Sequence, residues 1–412
     1  MKDIICVADG LADYPGSCQN GQTPMSVART PYISALAQRS KLGRVRTVPD
    51  GMVPGSDVAN MNILGYNPKK CFSGRAVLEA AAHDITIEPR CAATRLNFVT
   101  LSHAAQFEQR KMISFNAGGV SDAEAAELLH SLSELEREHF PEIKLRFCES
   151  FHHVALTPGN IRSDATPPHD IVGQKVETHL PNDPLVQEFM KRGAELLAGH
   201  PINLKRKSLG KLPVNAIWLW SSGEAIHLEP FSERYGSRRA CMITATDVLR
   251  GIANSMKIEC ISVPEATGTL STNYLGKGQA AISALLCEGY DLAYIHIEAP
   301  DAAGHAKRPH DKITAYERID EYIIKPIIQA MAAAGESYRL LVLPDHYTST
   351  IDGNHSAAPV PYLLFDSTYP GIPNSNKHFT EEYVRDLPVI NANCLMDLLM
   401  EGEISNNIYC IA

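Results

Sequence analysis

The chain has little tryptophan, two residues in 412, and no apolar run near the ~18 residues that span a bilayer. No membrane partner is expected. Basic residues are in the minority, with 38 Lys and Arg against 47 Asp and Glu and a net charge of −9. That balance excludes the broad basic surface of a nucleic-acid binder, but not a small anion held in a locally basic pocket. Ten cysteines occur without a C-x-x-C pair or other ligand spacing, which argues against a thiolate metal site. The start, "MKDIICVADG", carries Asp3 and Asp9 and no cleavage site, so it does not read as a signal peptide. Reduced thiols and a cytoplasmic location are the expectation. Internal repeats and low-complexity segments are also missing. At 44% hydrophobic and 21% charged, the composition is that of a folded chain, and 412 residues exceed one ordinary core.

What is present is an alternation of strand and helix at the two ends of the chain. "DIICVA" is a short apolar run, followed by a polar loop and the helical "YISALAQRS". Further on, "GKGQAAISALLCEG" reads as a helix and "LAYIHIEA" as a strand. The amphipathic "HDKITAYERIDEYIIKPIIQAMAAAG" reads as a long helix with Ile313, Tyr316, Ile319, Ile323 and Ile327 on one face. Pro326 is expected to kink it, and Gly335 to end it. "YRLLVLP" and "PYLLF" follow as strands. This grammar predicts an α/β fold, a doubly wound parallel sheet covered by helices on both faces.

The middle of the chain is different. "SDAEAAELLHSLSELEREHF" opens with Ser121 and Glu124 in a capping-box arrangement, and Asp183 precedes Pro184 at the start of a second helix. The Pro- and Gly-rich "TPGNIRSDATPPHDIVGQ" lies between them as a long loop. These features predict a smaller inserted α+β cap or substrate domain over residues 85–235, interrupting a domain built from 1–84 and 236–412.

Three strands each end in an aspartate. Asp9 closes "DIICVA", Asp301 follows "LAYIHIEA" with His305 four residues on, and Asp345 and His346 follow "YRLLVLP". His355 comes nine residues after His346. In an open parallel sheet the carboxyl ends of the strands share one edge, where ligands bind. Singly, each aspartate could be a cap or turn former and each histidine an ordinary polar residue. Together, three carboxylates in one crevice would repel one another unless cations joined them. Asp and His donors suit zinc or manganese, and magnesium where oxygen dominates. Six donors are too many for one tetrahedral ion and fit two divalent ions with open positions.

"VPGSDVAN" places Ser56 on a turn directly ahead of the apolar "MNILGY". One reading is a helix N-cap. The other is a nucleophile at the positive end of a helix, where a developing anion is stabilised. Beside two cations the second reading gains weight, because such a serine suits phosphoryl transfer.

"VADGLAD", "GQTPMSVARTPYISALA", "VPGSDVANMNILGYNP", "SGRAVLEAAAHDI", "NAIWLW", "EATGTLSTNYLGKGQAAISAL", "PDAAGH" and "DH…HSAAPVP" occur in this order from residue 4 to about 365. Together they resemble the archaeal-type, cofactor-independent phosphoglycerate mutases of the alkaline phosphatase superfamily. The resemblance implies an alkaline-phosphatase-like fold. It also implies a serine that takes the phosphoryl group from one hydroxyl of phosphoglycerate and returns it to the neighbouring one, without 2,3-bisphosphoglycerate. It assigns Asp9, Ser56, Asp345 and His346 to one metal, and Asp301, His305 and His355 to the other. Lys277 matches a lysine near the substrate's phosphate, and His153 a histidine supplied by the inserted domain. Arg75 and Arg95 become candidates for the phosphate or carboxylate, which a guanidinium can grip with two bonds.

Three positions depart from the family pattern: His152 stands for an arginine, Ala358 for an aspartate and Leu96 for a cysteine. None is a proposed ligand. His152 bears on the acceptor, so a related phosphotransferase or phosphatase using the same serine, such as a homoserine kinase-like enzyme, is the alternative. A non-catalytic metal-binding module is a third, opposed by the intact set of ligands with Ser56. The expected partner is a small phosphorylated substrate, and the pattern carries no reading of oligomeric state.

Overall fold

A computed structural model of the chain describes residues 1–225, 228–369 and 371–402. Two compact units emerge. One comprises Met1–Phe72 and the described part of Leu228–Ala412, the other the described part of Ser73–His227. The second unit begins ahead of residue 85 because the helix Arg75–Ala82 packs Ala76, Val77 and Ala80 against Ala93, Cys148 and Val154 of that unit's sheet.

The first unit is built on eight strands in the order Val389–Asn391, Lys41–Arg46, Val360–Asp366, Tyr338–Leu343, Lys2–Ala8, Leu292–Ile297, Ala240–Ile243 and Glu259–Cys260. Lys2–Ala8 lies at the centre, parallel to Leu292–Ile297 on one side and Tyr338–Leu343 on the other. Its residues are buried on both faces, as a run without polar alternation requires. Ile4, Cys6 and Ala8 share a core with the helices Pro31–Ala37, Tyr274–Leu286 and Pro309–Ile319, while Ile5 and Val7 are buried on the opposite face.

One local feature differs from the parallel expectation. Val360–Asp366, the "PYLLF" strand, runs antiparallel to both its neighbours. No helix separates it from Tyr338–Leu343, and without a crossover a chain returns antiparallel. The long helix takes up Pro326 through a π turn at Asp320–Ile324 between Pro309–Ile319 and Lys325–Ala334. The extra residue in that turn accommodates the missing proline N–H. Gly335 ends the helix in the left-handed region at φ 62°.

The second unit is an antiparallel sheet with helices on both faces. Cys91–Leu101 is its central strand, paired with His152–Pro158, Ala216–Glu224 and Met112–Ser114. On one face Leu128, Leu132, Phe189 and Met190, from the helices Asp122–His139 and Pro184–Ala198, pack against Leu96, Phe98 and Trp218. Ser121 and Glu124 form the capping box, and Asp183 caps its helix by accepting from Leu185 N–H and Val186 N–H. Glu124 also meets the fully buried Arg206 at 2.9 Å, so one carboxylate serves the cap and an internal ion pair.

Among the described residues eight cysteines are free thiols. Cys410 lies outside the described residues. Among the described residues no helix is long and apolar enough to cross a membrane.

Candidate active site and metal centre

The carboxyl edge of the eight-stranded sheet gathers Asp9, Ser56, Asp301, His305, Asp345, His346 and His355. Asp9 directly follows the central strand, Asp345 and His346 follow Tyr338–Leu343, and Asp301 lies in the first turn of Ala299–His305 behind Leu292–Ile297. The four-residue step from Asp301 to His305 is one helical turn and puts the carboxylate 3.3 Å from the imidazole. His355 reaches the same point because Thr348 and His355 pair across a two-strand ribbon.

Ser56 is the first residue of the helix Ser56–Ile63. The residue in the cap position is Gly55, and Ser56 makes no capping bond. Its hydroxyl points away from the helix, donating to Asp9 Oδ2 at 3.1 Å and lying 3.3 Å from His346 Nε2. The cap reading therefore fails locally: as first helical residue, Ser56 aims its side chain into the crevice.

The electrostatics are those of a cluster short of positive charge. Burial, with Asp345 and Asp301 alongside, pushes the Asp9 carboxyl well above its ordinary range. Burial also opposes ionisation of Asp301, but the His305 and His355 imidazoles outweigh it and hold its carboxyl well below that range. For Asp345 the opposition from burial is outweighed by His346 and His296. Asp9 Oδ1 is buried without a hydrogen-bond partner.

The histidines sharpen this point. His305 Nδ1 lies 2.8 Å from Gly353 O, and His355 Nδ1 lies 3.2 Å from Pro54 O. A carbonyl only accepts, so both Nδ1 atoms carry hydrogen and both neutral rings offer Nε2 as a lone pair. Yet those Nε2 atoms are 2.8 Å apart, and His355 Nε2 is 3.1 Å from Asp301 Oδ1. Acceptors so close are stable only with a proton or a cation among them. Two sets of three donor atoms, Asp9/Asp345/His346 and Asp301/His346/His355, each lie within 4.8 Å of one another. The donor chemistry and the unpartnered oxygen fit divalent cations.

Several supporting residues carry no strand-end signature. Asn60 donates from Nδ2 to Ser56 O at 2.8 Å and to Asp345 Oδ2 at 2.9 Å, and Tyr294 donates its hydroxyl to Asn60 Oδ1. His296 Nε2 lies 3.1 Å from Asp9 Oδ2, and burial lowers its pKa to about 4. A histidine within the apolar "LAYIHI" and an asparagine one turn after Ser56 were the available signals.

The remaining candidates have partners of their own. Lys277 is fully buried, donates to His296 O at 2.9 Å and is lowered by burial to about 8. His153 is fully buried between Phe98 and Phe147, accepts from Cys148 N–H at 3.1 Å and is lowered by burial to about 3. Arg95 is buried against Glu79 at 2.7 Å and stacks on Trp220, so its guanidinium already has a carboxylate partner. Arg75 lies 3.4 Å from Glu79 and is 47% exposed.

The architecture is that of a solved protein from Pyrococcus horikoshii, matched over 97% of this chain and 96% of that one at TM-score 0.78 and 25% identity. The cofactor-independent phosphoglycerate mutase from Thermoplasma acidophilum shares the fold at TM-score 0.60 and 23% identity, over 97% and 99% of the two chains. Fold and site thus define an α/β protein with an inserted antiparallel unit and a serine set among carboxylates and imidazoles. Residues 37–203 match the family described as 2,3-bisphosphoglycerate-independent phosphoglycerate mutase. A mutase of that name from Methanothrix thermoacetophila is 40% identical over 89% of this chain and 91% of its own. Another, from Methanothermobacter thermautotrophicus, is 39% identical over 97% and 98%. The chain belongs to the 2,3-bisphosphoglycerate-independent phosphoglycerate mutase family.

Proposed function

We propose that the protein interconverts 3-phosphoglycerate and 2-phosphoglycerate through a phosphoserine at Ser56. The observation that carries this reading is the Ser56 hydroxyl, turned out of its helix onto Asp9 Oδ2 and His346 Nε2. Asp9, Ser56, Asp345 and His346 would hold one divalent cation, and Asp301, His305 and His355 a second. Bound there, the cations supply Lewis-acid stabilisation of charge on the phosphoryl oxygens. Manganese, zinc and magnesium each match part of this donor set.

The chain's own groups define the rest. In the first half-reaction Ser56 Oγ bonds to phosphorus, the ester bond to the substrate oxygen breaks, and the proton that leaves Oγ along its bond to Asp9 Oδ2 passes on to the departing substrate oxygen. The freed glycerate then presents its neighbouring hydroxyl to the phosphoserine, and the same exchange runs in reverse. Asn60 fixes the backbone of Ser56 against Asp345 throughout. Arg75, with its guanidinium exposed, is the candidate of the inserted unit for a substrate anion. Free thiols at eight positions and a charged, phosphorylated substrate fit the cytoplasm.

Assay with 3-phosphoglycerate, Mn²⁺ and coupled enolase, with no 2,3-bisphosphoglycerate added, tests the reading. Steady formation of 2-phosphoglycerate is expected. Release of inorganic phosphate without interconversion would contradict it and favour a phosphatase.

A further inference from the structure

The three histidines of the crevice present Nε2 inward and anchor Nδ1 outward, but their anchors differ. Backbone carbonyls hold His305 and His355, and a carbonyl can only accept. The His346 ring has the Tyr347 backbone as one partner, and its Nδ1 also lies 3.2 Å from the hydroxyl of Thr348. A hydroxyl can accept or donate, so it fixes the imidazole only if its own single hydrogen is committed elsewhere. That commitment exists: Thr348 Oγ1 lies 2.6 Å from Asp301 Oδ1, a carboxylate oxygen that accepts. With the hydroxyl hydrogen on Asp301, the oxygen must accept from His346 Nδ1–H, which leaves Nε2 bare toward Ser56 and Asp9.

We propose that Thr348 is a positioning residue that links the two halves of the cation site through one hydroxyl, setting the tautomer of His346 from the carboxylate of Asp301. The proposal rests on the cation reading above. Its surroundings are shaped around this side chain. A Cβ on Gly10, at φ +60°, would lie 2.4 Å from Thr348 Oγ1 and 2.6 Å from Asp301 Oδ1. One on Gly304 would lie 2.6 Å from Thr348 Cγ2 and 2.8 Å from its carbonyl oxygen. The backbone is pinned as well: Thr348 N–H donates to Ala12 O at 3.2 Å, and the fully buried Lys312 donates to Thr348 O at 2.5 Å. Thr348 therefore touches one ligand by its hydroxyl, a second by the same hydroxyl, and a third, His355, by strand pairing.

Thr348→Val removes the hydroxyl and keeps the shape, and Thr348→Ser keeps the hydroxyl and loses the methyl. In Mn²⁺ titrations of the full chain, the valine variant is expected to bind about 10–100-fold more weakly, the usual effect of losing a partner to a ligating histidine. kcat falls with it while KM holds, and serine restores most of both. Nitrogen spectra of ¹⁵N-histidine-labelled protein without metal should show Nδ1–H at His346 in wild type and the serine variant, and a tautomer mixture in the valine variant. Equal loss in both variants would assign Thr348 to packing and overturn the proposal, as would a valine variant that binds like wild type. Should wild type bind no Mn²⁺, the cation reading fails by itself. The nitrogen spectra then decide, and Nδ1–H retained with valine would overturn the role of Thr348.

Discussion

Buried charge is handled in opposite ways in the inserted unit and at the carboxyl edge of the large sheet. In the inserted unit it comes in closed pairs, Arg95 with Glu79 and Arg206 with Glu124, each cation meeting one carboxylate within 2.9 Å. At the carboxyl edge of the large sheet Asp9, Asp301 and Asp345 crowd together, and Asp9 is forced well above its ordinary range. Paired charge of the first kind serves the fold, because breaking it leaves an ion stranded in the interior. Crowded like charge serves no fold by itself. It marks a place prepared for a cation, and Ser56 stands beside it.

The largest expected effect follows from that contrast. Ser56→Ala should lower mutase kcat by about 10⁴-fold or more. Tm should stay nearly unchanged, because the hydroxyl makes no capping bond. Steady-state kinetics with a thermal melt checks both halves. Arg95→Ala should behave in reverse, destabilising the inserted unit by up to about 3 kcal/mol, because the half-exposed Arg75 at 3.4 Å is then the cation left beside the buried Glu79. Urea unfolding measures this, and a double replacement of Arg95 and Glu79 by apolar residues should recover most of the loss.

Asp9→Asn sharpens the comparison from the other side. Removing a carboxylate that its neighbours disfavour should raise the Tm of metal-free protein, by about 2–4 °C for each kcal/mol relieved. The further rise that Mn²⁺ gives wild type should disappear. A fall in the metal-free Tm would show that Asp9 supports the fold.

The inserted unit also has a pH signature. Burial holds His153 at about 3, below its ordinary 6.5. Below pH 6.5 the unfolded chain takes up a proton that the native imidazole refuses. Stability should therefore be full above that pH and fall as pH drops toward 3, with a slope from this residue of at most about 1.4 kcal/mol per pH unit. His153→Gln should flatten that limb of a stability–pH curve. The smallest effect is Ser121→Ala, about 1 kcal/mol from the lost capping box.

Much of the crevice was legible because strand ends are. Asp9, Asp301 and Asp345 each stand just behind a short apolar run, and parallel strands bring such positions to one edge. The capping box at Ser121 and the helix stop at Gly335 are equally local. What stayed hidden depends on partners distant in the chain. Thr348 is one polar residue in "DHYTST", and its importance comes from Asp301, 47 positions away. Lys277 and His153 carry charge or polarity that reads as exposed, yet packing buries both completely. The reversed Val360–Asp366 strand looks like its parallel neighbours, since residues buried on both faces carry no mark of direction.

Anomalous diffraction from crystals grown with Mn²⁺ tests the central claim most directly. Two peaks are expected, one bonded to Asp9, Ser56, Asp345 and His346 and the other to Asp301, His305 and His355. Peaks elsewhere, or none at these seven side chains, would contradict it.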